Sequence, residues 1–163
     1  MRKTLTRKAF GSNYHHQKRL SLFGGYFSFQ GIDGRARWHR TAVEEALPVD
    51  CLPYDDRIEV PEGFSAQVHT HLSHPILNGV EGEWPLLLGA NEVRPKKLEG
   101  VEVLASLPAD QGGHPLLVTG SNGKGRTLAW TSDISPHWLP AGFYEWPGYT
   151  ILWRNIVGWL SKN

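Results

Sequence analysis

Gly123-Lys124-Gly125-Arg126-Thr127-Leu128-Ala129-Trp130-Thr131-Ser132-Asp133 is the stretch whose reading decides the fold. Its centre, 126–130, is an apolar run that reads as a strand, and 116–119 just upstream reads as another. Between them, Gly120-Ser121-Asn122-Gly123-Lys124-Gly125 has the composition of a hairpin turn. That loop resembles a phosphate loop only superficially. It lacks the Walker spacing, and a strand follows it, so there is no helix N-terminus to hold an anion. Past the strand come Ser132-Asp133 and then His137-Trp138. A carboxylate and an imidazole therefore follow a strand's carboxyl end, which is where open α/β sheets bind ligands.

Working outward, the C-terminal stretch is a helix. From Gly148 onward Ile151, Leu152, Ile156, Trp159 and Leu160 fall at helical spacing and form one stripe to bury. Arg154 and Lys162 are left to face water, and Lys162 suits a helix C-terminus. Upstream, 57–60 and 65–70 read as strands separated by a Pro61-Glu62-Gly63 turn, and 84–88 and 101–107 are further strands. The stretch 41–47 reads as a short helix. Thr41 is its N-cap, Glu44 stands three residues on as in a capping box, and Pro48 closes it. The run 20–23 (Leu20, Ser21, Leu22, Phe23) reads as a short buried strand ended by Gly24-Gly25. Before it, 1–19 hold six Lys and Arg residues and no Asp or Glu, without apolar periodicity. This stretch reads as a disordered or non-native tail, the alternative being a basic arm for an acidic partner. The chain has no internal repeat, so one α/β domain from residue 20 to 163 is expected.

The 163 residues suffice for one core, and 40% hydrophobic with 20% charged residues is ordinary for a globular protein. A formal net charge of +1 gives no argument for nucleic acid or a membrane surface as partner. No apolar run approaches the roughly 18 residues that span a bilayer. The single cysteine cannot form an intramolecular disulfide, which fits a reducing compartment, and a cytoplasmic location is expected. Seven tryptophans predict a core or pocket wall rich in aromatic surface.

Four segments in this order and spacing resemble one family: Gly24-Gly25-Tyr26-Phe27-Ser28-Phe29-Gln30-Gly31, His74-Pro75-Ile76-Leu77-Asn78-Gly79, the 123–133 stretch, and Pro136-His137-Trp138 followed by Glu145-Trp146-Pro147-Gly148-Tyr149. The sequence from about Leu20 onward is similar to the glutamine amidotransferase-like cytoplasmic proteins, relatives of the ThuA group of trehalose utilisation. The resemblance implies a three-layer α/β sandwich, flavodoxin-like as in class I glutamine amidotransferases, with a mainly parallel sheet. Family members carry one or more βα units ahead of the strand that ends in Gly-Gly-Tyr. Here that place is held by the basic stretch, so an N-terminally truncated version of the fold is expected. A doubly wound sheet without its first strands exposes an edge and an uncovered face.

In a working amidotransferase of this class, a cysteine sits on a sharp strand-to-helix turn, where a histidine activates it and backbone amides stabilise the oxyanion. The matching turn here, Phe23-Gly24-Gly25-Tyr26, has no cysteine, and Ser28 is the nearest hydroxyl. Two glycines suit close approach of the backbone to a ligand, or simply a tight turn. Cys51 follows Pro48-Val49-Asp50, outside any elbow pattern, and reads as a small buried hydrophobe. The family's catalytic histidine follows a late strand, which maps here to His137, with Asp133 as its orienter. The alternative is that Asp133 caps the following turn and His137 bonds a backbone carbonyl. Trp138 and Trp146 flank proline-rich loops, where they either stack on a flat ligand or pack in the core.

His69, His71 and His74 invite a metal reading, but no carboxylate or cysteine stands within the run, so no metal is expected. No cofactor is implied. The expected pocket has Gly24, Gly25, Tyr26, Ser28 and Gln30 on one side, with Asp133, His137 and Trp138 on the other. The expected function is small-molecule binding without glutaminase activity. One alternative is a ThuA-like enzyme acting on a carbohydrate or polyol, and another is a fragment without function; homo-oligomer formation stays open.

Overall fold

The computed structural model describes residues 19–25, 29, 36–69, 71 and 73–161. Its framework is the hairpin of β8 (Pro115–Asn122) and β9 (Gly125–Trp130), paired antiparallel from Leu117–Trp130 to Asn122–Gly125. Ser121 and Asn122 continue the ladder, so only Gly123 and Lys124 make the turn. Gly123 takes φ 61°, a left-handed conformation that glycine adopts without steric cost.

On one side β7 (Glu102–Ser106) pairs antiparallel with β8, and β4 (Gln67–Val68) pairs antiparallel with β7. On the other side β1 (Leu20–Phe23) lies parallel to β9, giving the order β1-β9-β8-β7-β4. The expectation of a mainly parallel sheet is corrected among the described residues. Strands joined by short reversals, as β7, β8 and β9 are, can only run antiparallel. Two small sheets complete the strands: β2 (Val49–Cys51) with β6 (Val93–Pro95), and β3 (Arg57–Phe64) with β5 (Leu87–Asn91).

Two strand readings change. Residues 61–63 do not reverse the chain. β3 runs through them with a register shift between Glu59 and Phe64, an irregularity that tolerates a proline without an N–H. The strand expected at 84–88 begins only at Leu87, and Trp84 is buried in the core instead.

Alternation along β8 and β9 builds two cores. Leu117, Leu128 and Trp130 face one side with Trp84, Leu139 and Phe143, and with Leu152 and Ile156 of α3 (Pro147–Ser161). Val118 and Ala129 face the other, against Leu47, Val49, Cys51 and Val93 beside α1 (Ala42–Ala46). Helix, sheet and a helix-plus-ribbon layer make the α/β sandwich. The short helix α2 (Ala141–Tyr144) contributes Phe143 to the first core.

Of the stripe expected of α3, Leu152 and Ile156 are fully buried and contribute about 1.5–3 kcal/mol each, while Ile151, Trp159 and Leu160 pack partly buried against the same core. Asn155 Nδ2 donates to the carbonyls of Ile76 (3.1 Å) and Asn78 (2.8 Å). Arg126 on β9 donates to the Trp159 carbonyl at 2.6 Å, its guanidinium 5.1 Å above the indole, which fixes the helix's last turn on the sheet. Arg154 is exposed, and Lys162 lies outside the described residues.

At α1, Thr41 caps as expected, its hydroxyl accepting from Glu44 N at 3.4 Å. Glu44 reaches back not to Thr41 N but one residue further, to Arg40 N (3.0 Å), while its other oxygen accepts from Cys51 N (2.8 Å). Burial pulls the Glu44 pKa up, but these amides and His39 outweigh it and hold the carboxyl below its ordinary value. No helix among the described residues is long and apolar enough to cross a membrane.

Candidate functional site

β1 and β9 run parallel, so their carboxyl ends emerge together on one rim of the sheet. Pairing continues one residue past β1, where Gly24 N donates to Trp130 O at 2.7 Å. A Cβ on Gly24 would lie 2.0 Å from the Thr131 carbonyl oxygen and 2.7 Å from that of Ser132. Only glycine fits between these chains. Gly25, at φ 136°, turns its amide onto Asn91 Oδ1 at 2.8 Å.

Asn91 ends β5 and is fully buried. Its Nδ2 donates to Asp56 Oδ1 at 2.9 Å, and its backbone N–H donates to Thr131 O at 2.8 Å. An N–H on one side and a carboxylate on the other fix which way the amide points. Asp56 is also buried, with its backbone carbonyl accepting from Glu92 N. Asn91 thus joins the glycine turn, the end of β9 and an inner carboxylate. A polar residue closing the apolar run 87–90 was its only sequence signal, and nothing there indicated a partner at Gly25 or at Asp56.

Beyond β9, Thr131 Oγ1 donates to Pro115 O (2.9 Å), Ser132 Oγ to Gly89 O (2.8 Å) and Trp130 Nε1 to Asp133 O (3.0 Å). The chain is therefore held rigidly up to Asp133. Asp133 Oδ2 accepts from Trp138 N at 2.9 Å and pairs with His137 Nδ1 at 2.9 Å. The carboxylate is buried and the imidazole is 42% exposed. With Nδ1–H donating to Asp133, the lone pair of the neutral ring sits on Nε2. One carboxylate oxygen of Asp133 thus holds both the Trp138 amide of the following turn and the His137 ring.

Of the two tryptophans read as ligand platform or core, Trp138 is buried and Trp146 is partly buried. Trp138 is 1% exposed, and its indole fills the space where a Gly89 Cβ would come within 2.5 Å of Nε1. Its Nε1 points to Glu59 Oε2 at 3.5 Å. Trp146 packs on Trp84 and Phe143, with ring centroids 6.1 and 5.8 Å away. Trp146 thus lies partly buried against the first core, while the Trp138 ring lies beside that of His137, centroids 5.2 Å apart. The structure brings Gly24 and Gly25 against Thr131, Ser132 and Asn91, and it joins Asp133 to His137. Tyr26, Ser28 and Gln30 lie outside the described residues.

Cys51 stands on β2 in the second core, 3% exposed. Burial, then the negative charges of Glu44 and Asp56, push its thiol up to about 12, far from the thiolate a nucleophile needs. His69 uses Nδ1 on Val103 O (2.8 Å) and Nε2 on Ser106 Oγ (3.3 Å), and its ring stacks with His71 at 5.9 Å. His74 Nδ1 accepts from Ile76 N at 3.2 Å and caps the 3-10 turn Pro75–Leu77. The histidine run is thus built into hydrogen bonds and ring packing.

Residues 10–162 match the family described as "Putative glutamine amidotransferase". Among solved structures, Cytoplasmic Protein STM1381 from Salmonella typhimurium LT2 is 39% identical with a TM-score of 0.79, the match covering 87% of this chain and 55% of that one. Cytoplasmic Protein STM3548 from Salmonella typhimurium is 36% identical with a TM-score of 0.79, over 88% of this chain and 55% of that one. The chain therefore spans about half the length of these solved relatives. No curated protein matches it.

Proposed function

The chain belongs to this glutamine amidotransferase-like family, and from that membership we propose that it is a small-molecule binding module or subunit without glutaminase activity. The ligand sits at the rim formed by the carboxyl ends of β1 and β9, and it needs no cofactor. The observation that carries this reading is the Gly24-Gly25 turn. It is closed tightly against Thr131 and Asn91, at the place to which the resemblance maps the amidotransferase nucleophile, while the one cysteine is buried on β2 with a raised pKa. The turn's own amides are held inside, Gly24 N on Trp130 O and Gly25 N on Asn91 Oδ1, and it carries no thiolate for acyl transfer. The relatives' names place those proteins in the cytoplasm, and we assign this chain to the same compartment.

The test has two arms. Incubation with glutamine should release no ammonia above the uncatalysed rate; Cys51-dependent release would overturn the reading. A thermal-shift screen of sugars, polyols, amino acids and nucleotides should yield a ligand that raises Tm for the parent chain and not for His137→Ala.

One observation favours a second reading, a ThuA-like enzyme acting on a carbohydrate or polyol. The 2.9 Å Asp133–His137 contact is the geometry of an oriented general base. In that case His137→Ala abolishes turnover of the sugar substrate and Asp133→Asn reduces it. Turnover that survives His137→Ala removes His137 from the role. Failure of both the ligand screen and the turnover assay leaves the third reading, a fragment without function of its own.

A further inference from the structure

Away from the glycine turn, the outer face of the β2–β6 ribbon carries charges that the fold leaves unmatched. Alternation along β2 turns Val49 and Cys51 inward and Asp50 outward, and the exposed Arg94 of β6 stands directly opposite Asp50 in the ladder. Opposite charges in such a position usually pair. Among the described residues, neither the Asp50 carboxylate nor the Arg94 guanidinium makes a hydrogen bond or an ion pair. The same is true of the Arg40 guanidinium, just ahead of α1. Arg40 takes φ 57°, a left-handed conformation that is costly for any residue with a Cβ, and Glu44 Oε1 holds it there by accepting from Arg40 N at 3.0 Å.

Arg40, Asp50 and Arg94 line one hollow of about 480 Å³, a size that suits a small molecule. The buried Cys51 and Leu52 lie at its base, and the exposed Pro53 and Tyr54 stand at its mouth, the tyrosine 55% exposed. Glu44 and His39 also line it, but both are already engaged. Glu44 Oε2 accepts from Cys51 N at 2.8 Å, and His39 Nδ1 donates to Cys51 O at 2.8 Å. Two guanidiniums, one carboxylate and one aromatic ring are therefore left for a ligand. A plain anion in the hollow would meet the carboxylates of Asp50 and Glu44, and a plain cation would meet two arginines. A molecule that carries both signs satisfies both sets. The base is the negative end: after burial, the charges of Glu44, Asp56 and Asp50 are what push the Cys51 thiol up.

We propose that this hollow binds a free α-amino acid with an apolar side chain, its carboxylate on Arg40 and Arg94, its ammonium group on Asp50, and its side chain against Pro53 and Tyr54. The two charged groups of such a zwitterion are attached to one carbon atom. They fit between side chains rooted opposite each other on paired strands, where Cβ atoms stand about 4.5–5.5 Å apart. A guanidinium offers a carboxylate two parallel N–H donors, and the Tyr54 ring gives an apolar side chain a surface to cover. The site is distinct from the rim at Gly24, Gly25 and His137, and it does not depend on what binds there.

The experiment is calorimetric titration of the full 163-residue chain with L-phenylalanine and L-leucine. Saturable 1:1 binding of at least one of them is expected. Two fragments of phenylalanine separate the charges: 3-phenylpropionate lacks the ammonium group and 2-phenylethylamine lacks the carboxylate. Each should bind about tenfold or more weakly than the amino acid, since each loses a charge-assisted contact. Arg94→Gln and Asp50→Asn should each weaken amino-acid binding by a similar factor. Both positions are exposed, so the near-UV circular dichroism of the variants should match that of the parent chain. His137→Ala should bind the amino acid as the parent does. Absence of saturable binding of both amino acids up to about 10 mM overturns the proposal. So does equal binding of either fragment, which would make the hollow a plain anion or cation site. Binding that His137→Ala removes and Arg94→Gln does not would move the ligand to the rim and overturn it as well.

Discussion

The amide of Gly25 and the side chain of Asn91 meet at 2.8 Å across 66 positions of sequence, and that bond holds the glycine turn at the end of β1 to the end of β5. Asn91→Leu keeps the volume but leaves the Gly25 amide buried without its acceptor and withdraws a donor from Asp56. A loss of about 2–6 kcal/mol is expected, the cost of two such changes at about 1–3 kcal/mol each. Urea denaturation of the two proteins measures it. A loss under about 0.5 kcal/mol would show that the network does not hold the turn.

Two glycines should respond in opposite directions. At Gly24 a methyl group meets fixed backbone at 2.0 Å, so Gly24→Ala should cost about 3 kcal/mol or more through forced displacement of β1 from β9. Gly142, in α2, has open space where a Cβ would stand, with no neighbouring atom within 4 Å, and Gly142→Ala should stabilise by about 0.5–1 kcal/mol. Thermal melts of both variants check the pair, and equal effects would contradict the geometry at Gly24.

Cys51 should be inert to thiol reagents in the native chain. A pKa raised from 9.0 to about 12 lowers the thiolate fraction at pH 8 about a thousandfold, and burial adds a steric block. Native-state labelling with a disulfide reagent should be slow and should become fast in urea. Because the folded pKa lies above the unfolded one, the protonated thiol favours the fold. That contribution is complete below about pH 9 and is lost as the pH rises towards about 12. Cys51→Ala should flatten this alkaline loss.

His74 titrates the other way. Burial lowers its pKa, Glu102 at 3.9 Å pulls it partly back, and Arg126 lowers it further. The neutral ring has the Nδ1 lone pair that accepts from Ile76 N, and protonating that nitrogen breaks the cap. The depressed folded pKa means that the contribution is present above the ordinary value of 6.5 and is lost as the pH falls below it. Melting temperature should fall between pH 7 and pH 5. His74→Asn supplies a capping oxygen that does not titrate, and it should reduce the slope.

What the sequence made legible was local. The β8–β9 hairpin, the stripe of α3 and the Thr41 cap follow from periodicity and turn chemistry within a few residues, and so does the Asp133–His137 dyad, whose members stand on one turn. Long-range decisions were not legible. The pairing of β1 with β9 and the meeting of Asn91 with Gly25 and Asp56 depend on which surfaces close on one another, and no local pattern encodes that. Proline and glycine at 61–63 signal an interruption, but a bulge and a reversal use the same residues, and only pairing with β5 distinguishes them. The indole of Trp138 has both an apolar face and a donor, so its sequence position allows a core residue as well as a ligand platform; its burial is set by long-range packing against Gly89.

The register of β1 also carries a kinetic meaning. Leu20 finds Thr127 near the opposite end of the described chain, while β8 and β9 need close only a two-residue turn. Closing the larger loop costs more entropy before any contact rewards it, so the hairpin assembles early and β1 docks late. The glycine turn exists only once β1 has docked, so the rim on which any ligand would sit is the last part of the molecule to be built. Recovery of binding during refolding should therefore lag behind recovery of the sheet, and the site then serves as a clock for completion of the fold.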